Sequence, residues 1–167
     1  NHYYKIELDL PTIRSAKLKA TSRLYKVLTD IINQINTDYP ATYHPPYLYP
    51  HITLVNLYPP NPLNTAVRDA NRLLVNNTYI NLADQSNWQC IGSGNKAFVL
   101  MVIKNPPGVP SGNSVSTIDL HATVAVKIDG SNCNEANCWD SAKKILLARE
   151  SDAVDMVDAA AAAVAAT

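Results

Sequence analysis

The chain has 167 residues and a mass of 18.3 kDa, enough for one domain with a buried core, and its 47% hydrophobic and 17% charged content excludes wholesale disorder. Lys and Arg total 14, as do Asp and Glu, so no global field draws in a long polyanion, and long duplex nucleic acid is not an expected partner. No apolar stretch approaches the ~20 residues that span a bilayer, and the first residues carry no signal-peptide pattern, so no membrane partner is expected and the cytoplasm is the expected compartment.

The first residue is Asn rather than Met, which reads as a domain of a larger protein or a processed product; monomeric or embedded, a single domain over residues 1–150 is expected. "YYKIELDL" (Tyr3 to Leu10) alternates, with Tyr4, Ile6, Leu8 and Leu10 on one side, as in a half-exposed strand that Pro11 ends. From about Ser15 to Asn36 the period becomes helical, with Leu24, Val27, Leu28, Ile31, Ile32 and Ile35 forming an apolar stripe. "TDYPATYHPPYLYP" (Thr37 to Pro50) holds four prolines and four tyrosines and predicts an ordered, extended loop rather than a helix or central strand.

Next comes "HITLVNLY" (His51 to Tyr58), an apolar strand, then a turn and a short helix from about Thr65 to Val75 capped by Asn64. Strands are predicted at Thr78–Leu82, Asn87–Ile91, Lys96–Ile103 and Thr117–Ile128, with a turn at "GSGN" and a loop at "NPPGVPSGNS" (Asn105 to Ser114). A last helix is expected over Glu135–Arg149, and the Ala-rich tail over 151–167 as helical or frayed. The order is that of an α+β protein with antiparallel or mixed sheets.

Two of the strands carry the same chemistry. In "HITL" (His51 to Leu54) and "HATV" (His121 to Val124) a histidine and a threonine stand two residues apart. Side chains at i and i+2 share a strand face, so His51 projects with Thr53 and His121 with Thr123, while Ile52, Leu54, Ala122 and Val124 turn to the core. Beyond the second pair, Ala125 is expected to keep the histidine face small. Two imidazoles can divide acid and base work near neutral pH, and threonine hydroxyls can donate to anionic oxygens. That set suits a phosphodiester and needs no metal. The residues leave open which histidine is acid and which base.

This doubled His-hydrophobic-Thr pattern resembles the signature of the two-histidine (2H) phosphoesterase superfamily. LigT-like RNA ligases and cyclic phosphodiesterases, eukaryotic cyclic phosphodiesterases and viral 2′,5′-oligoadenylate phosphodiesterases belong to it. The resemblance rests on these two motifs and the strand–helix–strand opening. It implies a two-lobed fold around a central cleft with outer helices, His51 and His121 as catalytic acid and base, and Thr53 and Thr123 as phosphate ligands. It further implies metal-independent cleavage of 2′-linked phosphodiesters in a short oligonucleotide or cyclic nucleotide (2′,5′-oligoadenylate or a 2′,3′-cyclic phosphate), in the host cytoplasm if the chain is viral. The family places a helix before each motif strand; the second half of this chain has a loop there instead. The alternative is a non-catalytic module that binds nucleotides or a protein on the same fold.

Tyr47, Tyr49 and Trp88 are candidates to stack on a base. His44 is expected at the surface. Cys90, Cys133 and Cys138 are odd in number and too few for a disulfide framework; three free thiols in a reducing compartment are expected, with a local Cys133–Cys138 pair as the alternative. No cofactor or metal is expected, since no glycine-rich phosphate loop is present and His121 is better explained by its threonine than by the cysteines.

Overall fold

Tyr4, Ile6 and Leu8 enter the core as their alternation predicts, but the ladder they build is short. The computed structural model describes residues 2–46, 49–55, 62–91, 97–103, 119–129 and 133–149. Its elements are β1 (Tyr3–Lys5), β2 (Ser15–Lys17), α1 (Arg23–Asp38), β3 (Tyr43–His44), β4 (His51–Thr53), α2 (Pro62–Val75), β5 (Tyr79–Asn81), β6 (Trp88–Ile91), β7 (Ala97–Ile103), β8 (Leu120–Lys127) and α3 (Glu135–Ala148). β1 and β5 form a two-stranded sheet. The other strands form an open sheet in the order β2-β4-β8-β7-β6, with β3 also beside β8. Every pairing among the described residues is antiparallel, so the protein is α+β with antiparallel sheets.

Several elements differ from the expectation. Leu10 is 82% exposed, because regular pairing ends at the bridge between Leu8 and Leu18. Ser15–Lys17 is a strand rather than the first turn of a helix. "SAKLK" alternates, burying Ala16 and Leu18, and Ala16 pairs with Ile52 on β4. The helix starts only after Ser22, whose Oγ accepts the Tyr25 N–H at 3.2 Å, a good N-cap. From there the predicted stripe Leu24, Val27, Leu28, Ile31, Ile32 and Ile35 is buried throughout.

The Pro/Tyr segment is interrupted by a two-residue strand, β3, pairing Tyr43 with Lys127 and His44 with Val126. β4 then rejoins the same edge of β8 with Ile52 opposite Ala122. The seven residues between these two pairs on one strand thus stand against only three, 123–125, on β8. α2 begins at Pro62, where a missing N–H costs nothing; Asn64 is buried within its first turn rather than capping it. β5 to β8 and α3 fall within the predicted spans, and Asn134 caps α3 by accepting from Ala136 N–H at 3.0 Å. The turn at 92–95, the loop at 105–114 and the tail at 151–167 lie outside the described residues.

β8 carries a bulge. Its register passes from Val99↔Thr123 to Phe98↔Ala125, leaving Val124 as the extra residue. Two consecutive residues of a bulge turn to one side, so Val124 and Ala125 are both buried in the core. Ala125 is thus not on the histidine face as its spacing implied. The same shift sends Lys127 inward, where its Nζ meets Asp129 at 2.8 Å and lies 5.4 Å from the Tyr43 ring.

The core lies between one face of the large sheet and α1 and α3. Asp38, at the end of α1, accepts from Ser141 Oγ at 2.7 Å and pairs with Lys144 Nζ at 2.8 Å on α3; these bonds hold its carboxyl below the usual carboxylate range. α2 is tied to the motif strand instead, with Asn71 Nδ2 donating to Leu54 O at 2.8 Å.

Two chemical expectations are corrected here. Cys90 and Cys133 are joined in a disulfide across 43 residues, with Cα atoms 6.0 Å apart, and only Cys138 is free. Burial pushes that thiol up to about 11, so it is not a reactive nucleophile. Trp88 is 2% exposed, stacks on Phe98 with ring centroids 5.4 Å apart, and donates Nε1–H to Leu82 O at 2.8 Å. It lies on the helix side of the sheet, so a nucleobase has no access to it. Trp88→Ala is expected to cost about 3–5 kcal/mol of unfolding free energy, read as a lower urea midpoint.

Candidate functional site

Ile52 opposite Ala122 decides the geometry of both motifs. Antiparallel register then sets His51 across from Thr123 and Thr53 across from His121, all four on one face. Direct cross-strand partners have Cβ atoms about 5 Å apart and diagonal ones about 7 Å, so the two histidines flank a space of phosphate size. The opposite face of this seam is closed: Ile52, Leu54, Ala122 and Val124 are all buried. The motif side chains are only partly covered.

Antiparallel pairing of two identical patterns creates a local two-fold axis, here through the Ile52–Ala122 pair. The histidines obey it. His51 Nδ1 lies 3.4 Å from Tyr49 O and His121 Nδ1 lies 2.8 Å from Asp119 O, in each case the carbonyl two residues earlier. A carbonyl only accepts, so each Nδ1 is the ring nitrogen that donates.

The neighbours break the symmetry. On the β2 side, Lys17 pairs opposite His51 and Ser15 opposite Thr53, and Ser15 Oγ donates to Thr53 Oγ1 at 3.4 Å. On the β7 side, Val99 and Met101 stand beside Thr123 and His121 and are buried. One flank of the site is cationic and polar and the other apolar. Burial lowers the His51 pKa below the usual histidine value. The Tyr49 carbonyl opposes this, and the charges of His121 and Lys17 add to it. Burial therefore disfavours the charged form of His51.

Of the residues expected at the site, the structure brings together His51, Thr53, His121 and Thr123. Tyr49 is exposed beside them, with Lys17 Nζ 4.9 Å from its ring centroid. Trp88 is excluded by its burial in the core, and Tyr47 lies outside the described residues. His44 is exposed, its Nδ1 2.9 Å from Pro45 O. Ser15 and Lys17 were missed because the helical reading absorbed them; the alternation of "SAKLK" was the signal. Among the described residues no three His, Cys, Asp or Glu side chains gather as metal ligands, and no helix is long and apolar enough to cross a membrane.

No family model, curated protein or solved structure matches the chain.

The electrostatics can be checked directly. Removing a positive neighbour favours the imidazolium, so Lys17→Met is expected to raise the His51 pKa, followed by NMR titration of the ring signals. An unchanged midpoint would remove Lys17 from the site's electrostatics.

Proposed function

We propose that this domain is a metal-independent phosphodiesterase of the two-histidine type, acting on 2′-linked phosphodiesters of small RNA-like substrates, either 2′,5′-oligoadenylate or a 2′,3′-cyclic phosphate. One observation carries the reading: the two His-x-Thr motifs lie on adjacent antiparallel strands, with all four side chains on one face. On this reading the two lobes would be the parts of the sheet on either side of the β4–β8 seam.

In-line displacement at phosphorus needs a base on the entering side and an acid on the leaving side. A phosphate on the local two-fold axis has one histidine on each. His51, whose charged form is disfavoured by burial and its positive neighbours, takes through Nε2 the proton of the attacking ribose hydroxyl or water. His121, as the acid of the pair, gives its Nε2 proton to the departing oxygen. The enzyme leaves the step with the two protonation states exchanged, and solvent restores them. Thr53 and Thr123 donate to the non-bridging oxygens, whose charge grows in the transition state, and Lys17 adds positive charge on the His51 side.

The test is chromatography of products after incubation in EDTA with 2′,5′-oligoadenylate, 3′,5′-oligoadenylate and a 2′,3′-cyclic nucleotide in parallel. Cleavage of a 2′-linked substrate is expected, with His51→Ala and His121→Ala each slowing it by about 10²–10⁴-fold. The pH profile of kcat/KM is expected to be bell-shaped, its acid limb below the usual histidine value, since protonating His51 abolishes the base. Folded protein that turns over none of the three, yet binds them, would favour the binding-module reading instead.

A further inference from the structure

Beside His51, on the β2 side, Asp9, Lys17, Leu18, Ala20, Tyr25 and Tyr49 line an open pocket of about 200 Å³. Two of these residues also belong to the histidine centre. Lys17 pairs opposite His51, and the Tyr49 carbonyl holds His51 Nδ1 at 3.4 Å. A molecule bound through its phosphate at the histidines therefore has this pocket as its immediate neighbour.

The pocket is built from fixed backbone. Asp9 N–H donates to Lys17 O at 2.8 Å, and Arg72 Nε donates to Asp9 O at 2.9 Å. Tyr25 sits in the first turn of α1, its N–H held by the Ser22 cap. A carboxylate and an ammonium both line the pocket, and neither forms an ion pair among the described residues. Two tyrosine rings give it flat apolar surface.

Flat walls suit a nucleobase, and the carboxylate discriminates among bases because it only accepts. Guanine presents two adjacent donors, N1–H and the exocyclic N2–H, matched to two carboxylate oxygens. Adenine and cytosine each set one amino donor beside a ring nitrogen lone pair, which the carboxylate repels. Uracil offers a single N–H between two carbonyls.

We propose that this pocket is a guanine subsite of the histidine centre, with Asp9 reading the Watson–Crick edge, Tyr25 and Tyr49 walling the ring, and Lys17 at the junction with the phosphate. The inference rests on the phosphodiesterase reading above and deepens it. Of the two substrate classes named there, it selects a guanosine 2′,3′-cyclic phosphate over oligoadenylate.

The experiment has a turnover arm and a binding arm. Wild type, Asp9→Asn and Asp9→Ala are assayed with guanosine and adenosine 2′,3′-cyclic phosphates. Binding of guanosine and adenosine 2′-monophosphates is followed by NMR on the His51→Ala/His121→Ala protein, with and without Asp9→Asn. The guanosine substrate is expected to be favoured in kcat/KM by about tenfold or more, with both Asp9 variants bringing the ratio towards one while the adenosine rate stays within about twofold. Equal turnover of the two by wild type overturns the subsite and leaves the phosphodiesterase reading standing. Guanine-selective binding that depends on Asp9, without turnover of either substrate by wild type, supports the subsite and overturns the enzyme. Neither turnover nor selective binding overturns both.

Discussion

The arrangement of the site depends on one backbone pairing, Ile52 against Ala122. A one-residue slip in a strand moves its whole set of side chains to the other face. Here such a slip would carry a histidine into the core and an isoleucine into solvent, and both moves are costly. The buried residues Ile52, Leu54, Ala122 and Val124 therefore keep the polar face in register. Hydrophobic burial on one side of the sheet is what aligns two imidazoles and two hydroxyls on the other.

The seam is symmetric in its backbone and unequal in its surroundings. Lys17 and Ser15 on the first flank and the buried Val99 and Met101 on the second give the two halves different electrostatics. A symmetric pairing thus sets two His-Thr pairs face to face, and the neighbouring strands make their surroundings unequal.

Period and spacing made much of this legible. The α1 stripe, the long strands, α3 and the pairing of each histidine with its threonine all follow from alternation or the 3.6-residue repeat. That the two motifs are strand neighbours is a long-range fact that no local period contains. Trp88 is ambiguous for the same reason, since an indole suits a core and a stacking platform equally until its strand partner Leu100 is known. Ala125 was misplaced because a bulge shifts the period by one residue and depends on the partner strand. Ser15–Lys17 was misread because three residues of alternation beside a strong helix are easily absorbed into it. Cys90 and Cys133 meet only through the fold, and a count of three cysteines does not reveal which two will pair.

The detour between β3 and β4 has a consequence for how such a domain diversifies. The chain leaves the edge of β8 after His44 and pairs with it again at Ile52, so the connecting segment spans more residues than the three of β8 that it passes. Insertions or deletions there change what borders Tyr49 without altering which residues face each other across the seam. It is a natural graft point: the segment can change in length while His51, Thr53, His121 and Thr123 keep their places across the seam.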